Sequence, residues 1–109
     1  MSSQQALKKL EKLTQAPSGL VEGKWVFDLK ATHGLPLDFA LDRIINEKNL
    51  AIEWVGFIEE ARRNKWWDFQ TLEVITHAMQ DAMLPRDMQS AILDQFKLYV
   101  LNNPHPETM

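Results

Sequence analysis

The chain of 109 residues is 45% hydrophobic and 25% charged, which suits one soluble domain and excludes a disordered protein. Its formal net charge of -3 argues against a generally basic nucleic-acid binder, so DNA is not an expected ligand. Cysteine is absent, which excludes disulfides and Cys-ligated metals and fits a reducing, cytoplasmic location, and no apolar run approaches the roughly 20 residues that span a membrane.

The first predicted element is a peripheral helix over residues 1–16. Three leucines spaced by three form its apolar stripe, and three lysines make one side of it basic: Leu7, Leu10, Leu13, Lys8, Lys9 and Lys12. Residues 16–19, Ala-Pro-Ser-Gly, would end this helix because Pro and Gly both interrupt helical geometry.

A second helix is predicted over residues 20–33. Val21, Trp25 and Leu29 are spaced by four, which places them on one helical face. The run Trp-Val-Phe at residues 25–27 would also suit a short strand, because β-branched and aromatic residues are enriched in strands.

A sharp corner is predicted after the second helix. Gly34 permits the left-handed backbone that ends a helix, and Pro36 pre-sets the backbone for the next one. Asp38 would lie in the first turn of that helix, where a negative charge is favoured by the helix dipole. Gly34, Pro36 and Asp38 therefore define a structural corner between two helices.

Apolar stripes with helical spacing continue to the end of the chain. Asp68 is a predicted cap for the helix that follows it, and the last two helices are expected to form an antiparallel pair hinged at Leu84 and Pro85. The sequence thus predicts an all-α bundle of five to six helices in a single domain over residues 1–109, with a frayed tail over residues 103–109.

Basic and aromatic side chains are interleaved in one short segment that contains Arg62, Arg63, Lys65, Trp66 and Trp67. Arginines that pair with phosphates and tryptophans that stack on bases would hold single-stranded RNA. The same side chains would also anchor a protein partner, because Trp and Arg are enriched at interface hot spots. A structural alternative is that one Trp belongs to the core while the other covers a helix end.

A polar face on one predicted helix could hold a metal ion. Glu73, His77 and Asp81 are spaced by four, but ligands on a single helix are more typical of a solvated face. We therefore expect no metal and no cofactor. The sequence contains no nucleophile elbow and no phosphate-binding glycine loop, so we expect a protein that is not an enzyme.

Three methionines flank the predicted hinge. Met79, Met83 and Met88 could form an adaptable binding groove, because the Met side chain is flexible and polarizable. Met in a helical stripe is more typical of a core, and this is the interpretation we favour.

Two blocks of sequence resemble alanyl-tRNA synthetases. Residues 27–39 read Phe-Asp-Leu-Lys-Ala-Thr-His-Gly-Leu-Pro-Leu-Asp-Phe, which is similar to the family's Tyr-Asp-Thr-Tyr-Gly-Phe-Pro run. Residues 44–57 read Ile-Ile-Asn-Glu-Lys-Asn-Leu-Ala-Ile-Glu-Trp-Val-Gly-Phe, which resembles the family's Ile-Ala-Glu-Glu-Lys-Gly-Leu block and the Gly-Phe beyond it. The resemblance covers about residues 27–63, one third of the chain.

The resemblance implies a detached helical module rather than a synthetase. In the family this segment belongs to the helical region that grips the tRNA acceptor stem, and the catalytic and editing parts have no counterpart here. Lys30 and His33 join the candidate contacts because they lie in the matching block. Ala31 stands where the family has an acid that is a plausible reader of the acceptor stem, which argues against specific recognition of an alanine tRNA.

Two functions follow from the sequence. The leading hypothesis is a non-enzymatic protein-interaction module that acts as an accessory or inhibitory factor, because the chain is compact, acidic and rich in Trp. The alternative is a small RNA-binding module that contacts a tRNA-like acceptor stem through the corner and the basic–aromatic segment. A virus or mobile element that borrowed a host segment would be one source of such a fragment.

Overall fold

The computed structural model describes residues 20–104, of which 72% are helical. Five helices and two short strands follow one another: β1 (Leu20–Glu22), α1 (Gly23–Ala31), α2 (Leu37–Leu41) continued by a π-helical segment (Asp42–Glu47), β2 (Ala51–Glu53), α3 (Trp54–Arg63), α4 (Asp68–Asp81) and α5 (Arg86–Asn102). The small, mostly helical bundle predicted from the stripes is confirmed. The helix predicted over residues 1–16 and most of the predicted tail lie outside the described residues.

The two strands correct one prediction. β1 and β2 pair in parallel, with Leu20 opposite Ala51 and Val21 opposite Ile52, and both Val21 and Ile52 are buried. The helix predicted over residues 20–33 is wrong in its first turn, because residues 20–22 pair with a strand that is distant in the sequence. The alternative strand over residues 25–27 is also wrong, since these residues lie within α1.

One carboxylate joins the two strand-to-helix junctions. The side chain of Glu53 accepts a hydrogen bond from the Gly56 backbone N–H at 2.8 Å and from the Gly23 backbone N–H at 3.4 Å. A Cβ on Gly23 would collide with the Glu53 carbonyl oxygen and the Phe57 backbone nitrogen, so this close approach requires glycine. Glu53 therefore caps α3 and also serves the start of α1.

Aromatic rings hold α1 and α3 together. Phe27 packs edge-on against Phe57 with 5.3 Å between the ring centroids, and Trp54 packs edge-on against the same ring at 5.4 Å. Edge-to-face pairs of this kind add to the stabilisation from burial alone. Aliphatic side chains from the surrounding helices complete the core, including Leu41, Ile44, Ile58, Ile75 and Met79.

Four of the described helical segments are followed, within three residues, by a residue with a left-handed backbone. Gly34 has φ +68°, which confirms the predicted stop after α1. Asn49, Lys65 and Met83 adopt φ values of 55°, 69° and 57° after the π-helical segment, α3 and α4. Because none of these three residues is glycine, the sequence carried no glycine stop signal at their positions.

The predicted corner forms after α1. Pro36 immediately precedes α2, and Asp38 lies in its first turn as predicted. The cap predicted at Asp68 is wrong, because Trp67 holds the cap position of α4 and Asp68 is its first helical residue. The Asp68 carboxylate accepts hydrogen bonds from Arg62 on α3 instead of capping α4.

The last two helices form the predicted antiparallel pair, with the start of α4 beside the end of α5. The methionines near their hinge do not behave alike. Met79 is fully buried, whereas Met83 is 84% exposed and Met88 is partly exposed. The prediction that all three belong to the core is therefore correct only for Met79.

Candidate functional site

Arg62 is drawn into the bundle rather than presented to a ligand. Its guanidinium donates to both carboxylate oxygens of Asp68, from Nε at 3.0 Å and from Nη2 at 2.8 Å. It also lies over the ring of Tyr99, 5.3 Å from the centroid. The hydrogen bonds that Arg62 donates to the Asp68 carboxylate raise the pKa of Arg62 above its ordinary value. The prediction that Arg62 contacts a partner is not supported, because its charge is already neutralised within the fold.

A second polar contact continues this network. The Tyr99 hydroxyl donates to a carboxylate oxygen of Glu59 at 3.1 Å. Burial, together with this hydrogen bond, raises the pKa of Tyr99 above its ordinary value. The four side chains Glu59, Arg62, Asp68 and Tyr99 link α3, α4 and α5, and we call them the interhelical polar network.

The two neighbouring tryptophans have different environments. Trp66 is half-buried and packs edge-on against Phe27, with 5.1 Å between the ring centroids. Trp67 is 42% exposed at the start of α4. The structural alternative is therefore correct for Trp66, which extends the aromatic core, while Trp67 presents part of its ring at the surface.

The two remaining cations of the segment face solvent. Arg63 donates a hydrogen bond to the Glu60 carboxylate one turn earlier in α3, and most of its side chain is exposed. Lys65 is exposed at the left-handed end of that helix. The segment therefore presents Arg63, Lys65 and Trp67 outward and keeps Arg62 and Trp66 in the structure.

His33 is buried at the corner. Only 6% of the residue is exposed, and its Nε2 atom lies 3.7 Å from a carboxylate oxygen of Asp28. The ring is enclosed where α1 turns into α2, so contact of His33 with a partner stays a prediction that this burial disfavours. Lys30 is only partly buried and stays at the surface.

A polar cleft of about 360 Å³ joins the corner to α4. Lys30 and Asp38 line one wall, and Glu73, His77 and Asp81 lie on the other. The sequence did not connect these two groups, because they come from separate helices. Acidic side chains outnumber basic ones here, which disfavours a phosphate. Within residues 20–104, no group of three or more His, Cys, Asp or Glu could hold a metal ion.

An apolar groove between the last two helices was also missed in the sequence analysis. It has a volume of about 330 Å³, and we call it the α4–α5 groove; its apolar lining consists of Phe69, Leu72, Phe96, Val100 and Leu101. Phe69 is 66% exposed and Leu101 is 76% exposed. The signal was present in the sequence as large apolar residues that fall outside the core-facing stripes of α4 and α5.

Comparison with known proteins supports a resemblance over part of the chain. No protein-family model and no solved structure matches it significantly. A 45-residue stretch is 47% identical to an alanine–tRNA ligase from Halorhodospira halophila, and it covers 41% of this chain and 5% of the ligase. Among the described residues, no helix is long and apolar enough to cross a membrane.

Proposed function

We propose that this chain is a protein-binding module whose contact surface is the α4–α5 groove. The observation that carries the proposal is the exposure of Phe69 and Leu101 on the two walls of an apolar groove. Large apolar side chains that line one continuous depression are typical of interaction sites, whereas scattered ones are ordinary. Binding without turnover is the role we expect, as an accessory or inhibitory factor for the partner.

The shape and charge of the groove favour an amphipathic helix as the bound element. Two antiparallel helices leave a channel between them that an apolar helix face fills with side chains spaced by three and four. Asp68 at one end is already paired with Arg62, so it needs no cation from the partner. Lys97 lies on the other wall, so an acidic residue beside the apolar stripe of the partner would complement it.

Capture from a cell extract with matched variants tests this proposal. The full chain should retain one protein at stoichiometric level, and Leu101→Asp should lose it because a charge enters the groove. Met83→Asp is the matched control, since Met83 is at least as exposed as Leu101 but lies outside the groove. Retention of the partner by Leu101→Asp, or its loss from both variants, would contradict the assignment of the groove.

Trp67 directly precedes Asp68, which lines the groove. Substitution of Trp67 is therefore a second test of the proposal. If it anchors the partner, Trp67→Ala should weaken binding by about 2–4 kcal/mol with little effect of salt. Trp66→Ala is not equivalent, because Trp66 packs against Phe27 and its loss would destabilise the fold. An unchanged dissociation constant for Trp67→Ala would restrict the contact to the groove itself.

A second candidate is an RNA-binding module that contacts a tRNA-like acceptor stem. The match to part of an alanine–tRNA ligase favours it, and Lys30, Arg63, Lys65 and Trp67 are available at the surface. The described residues 20–104 carry nine basic and thirteen acidic side chains, for a net charge of -4, which weakens this candidate.

Electrophoretic mobility shifts with tRNA at several salt concentrations distinguish the two functions. If RNA is bound, Arg63→Gln with Lys65→Gln should weaken binding and reduce the slope of log K against log salt by roughly two. Lys97→Gln is the control, because Lys97 lies outside the segment. Arg62 is left intact, since its substitution would break the interhelical polar network. Absence of any shift would contradict the RNA-binding candidate.

A further inference from the structure

A second apolar groove lies between β2 and the first half of α5. It has a volume of about 350 Å³, with residues 49–52 on one wall and α5 on the other. We call it the strand-side groove; its apolar lining includes Ile45, Leu50, Ile52, Trp54, Met88 and Ile92. It is separate from the α4–α5 groove, because the two share no lining residue.

Most of this apolar lining is recessed below the surface. Four of its residues are at most 9% exposed: Ile45, Ile52, Trp54 and Ile92. The α4–α5 groove differs, since Phe69 and Leu101 project from its walls with 66% and 76% exposure. A protein partner contacts side chains that project, whereas a recessed lining is reached by a molecule small enough to enter. Small-molecule sites have volumes of about 300–1,000 Å³, and the strand-side groove falls within that range.

The lining of the strand-side groove is uncharged. None of the described residues that form it is ionisable. A charged group placed there would lose its water without gaining a charged partner, which costs free energy. The side-chain amides of Asn49 and Gln95 are exposed on opposite walls, and an amide both donates and accepts hydrogen bonds. The groove therefore offers polar contacts at its rim and apolar contacts inside.

We propose that the strand-side groove binds an uncharged, mainly apolar small molecule that carries one hydrogen-bonding group. The apolar part of this molecule contacts the recessed residues, and its polar group bonds to Asn49 or Gln95 at the rim. Met88 is 38% exposed on the α5 wall, and its flexible side chain adjusts to the shape of the occupant. This site does not depend on the proposed protein-binding function, since it lies in a different groove.

Two fluorescent probes test the proposal in the full chain. N-phenyl-1-naphthylamine is uncharged and has one N–H donor, and 8-anilino-1-naphthalenesulfonate adds a sulfonate to the same rings. Both brighten when they enter an apolar site, so titration gives their dissociation constants. The native chain should bind the uncharged probe more tightly by about tenfold, because the sulfonate finds no cation in the groove. Equal or tighter binding of the sulfonate would contradict an uncharged site.

Paired lysine substitutions locate the bound probe. Met88→Lys should weaken binding of the uncharged probe by about tenfold and strengthen binding of the sulfonate, because the new ammonium lies on the groove wall. Met83→Lys is the matched control and should change neither dissociation constant, since Met83 is 84% exposed and lines neither groove. Loss of the uncharged probe from Leu101→Asp but not from Met88→Lys would place it in the α4–α5 groove and overturn the proposal.

A measurement on the native chain covers the case in which Met88→Lys does not fold. When the uncharged probe is added, heteronuclear NMR should show shifts of the amide resonances of residues 49–52 and 88–95. Shifts confined to residues 69–72 and 96–101, or no shifts, would overturn the assignment. The native chain and Met88→Lys should also sediment alike. A native dimer that Met88→Lys converts to a monomer would show that a second copy fills the groove, against the proposal.

Discussion

Gly34 has a backbone that other residues adopt only with strain. Its φ is +68°, and a Cβ at this position would meet nothing within 4 Å, so a substitution is penalised by the backbone alone. We predict that Gly34→Val lowers the free energy of unfolding by about 1–2 kcal/mol, because a β-branched residue is strongly disfavoured at positive φ. Chemical denaturation measures the change.

Asparagine at the same position is the control for this prediction. Gly34→Asn should retain most of the stability, because Asn tolerates the left-handed conformation, as Asn49 does in this chain. Equal free energies of unfolding for the Val variant and the native chain would show that the backbone of the corner rearranges without loss of stability.

The Glu53 side chain accepts hydrogen bonds at the start of α1 and at the start of α3. The residue at the equivalent position before α1 does not act as a cap. Glu22 precedes α1 as Glu53 precedes α3, but the Glu22 side chain makes no capping hydrogen bond. We predict that Glu53→Ala lowers the free energy of unfolding by about 1–2 kcal/mol through loss of the cap. Glu22→Ala should change it by less than about 0.5 kcal/mol. Thermal denaturation of the pair checks the contrast, and similar effects would argue against a capping role.

At the scale of the elements, Arg62 connects α3 to α4 and lies against α5. We predict that Arg62→Gln lowers the free energy of unfolding by about 1–3 kcal/mol, because the Asp68 carboxylate then loses a bidentate charged partner. Arg63→Gln is the matched control, since Arg63 is its exposed neighbour and surface substitutions usually change stability by less than about 0.5 kcal/mol. Equal effects of the two substitutions would mean that the interhelical polar network contributes no more than a surface ion pair.

The hydroxyl of Tyr99 reports on the same network through its titration. Tyr99 is the single tyrosine of the chain, so ultraviolet absorbance follows it alone. Its pKa in the folded chain is raised, first by burial and then by the hydrogen bond to Glu59. We therefore expect a titration midpoint above the ordinary value of about 10.

The sign of the linked stability follows from that direction. The folded state holds the Tyr99 proton more tightly than the unfolded state, so this contribution to stability is complete below pH about 10. It is lost as the pH rises through the higher folded pKa. Glu59→Gln should move the midpoint downward, because it removes the charge that opposes ionisation. A native midpoint at or below 10 would contradict the environment described for the ring.

At the scale of the whole molecule, the two strands and five helices described over residues 20–104 share one core. Trp54 lies within that core, and Trp66 packs at its edge. We predict that tryptophan fluorescence and far-ultraviolet circular dichroism report one coincident unfolding transition, because small single domains unfold cooperatively. The dichroism of the native chain should indicate more than half helix. Two separated transitions would contradict the single domain, and a dominant strand signal would contradict the bundle.

Local signals in the sequence were sufficient for most of the architecture. The stripes over α3, α4 and α5 predicted those helices because apolar side chains at helical spacing must share a buried face. The corner at Gly34 and Pro36 was predictable because each residue type restricts its own backbone. Similarly, the interleaved charges and tryptophans after residue 61 marked a segment of interest without showing which of its side chains face solvent.

The sequence by itself thus determined most of the five helices described over residues 20–104 and the corner at Gly34, since these depend on neighbours within a few positions. Only the tertiary structure decided that residues 20–22 pair with β2, that Arg62 bonds to Asp68 and that His33 is enclosed. It also brought Phe69 and Leu101 to the two walls of one groove. Each of these outcomes depends on which surfaces meet when the helices pack, and the periodicity of a single segment carries no information about the segment it will pack against.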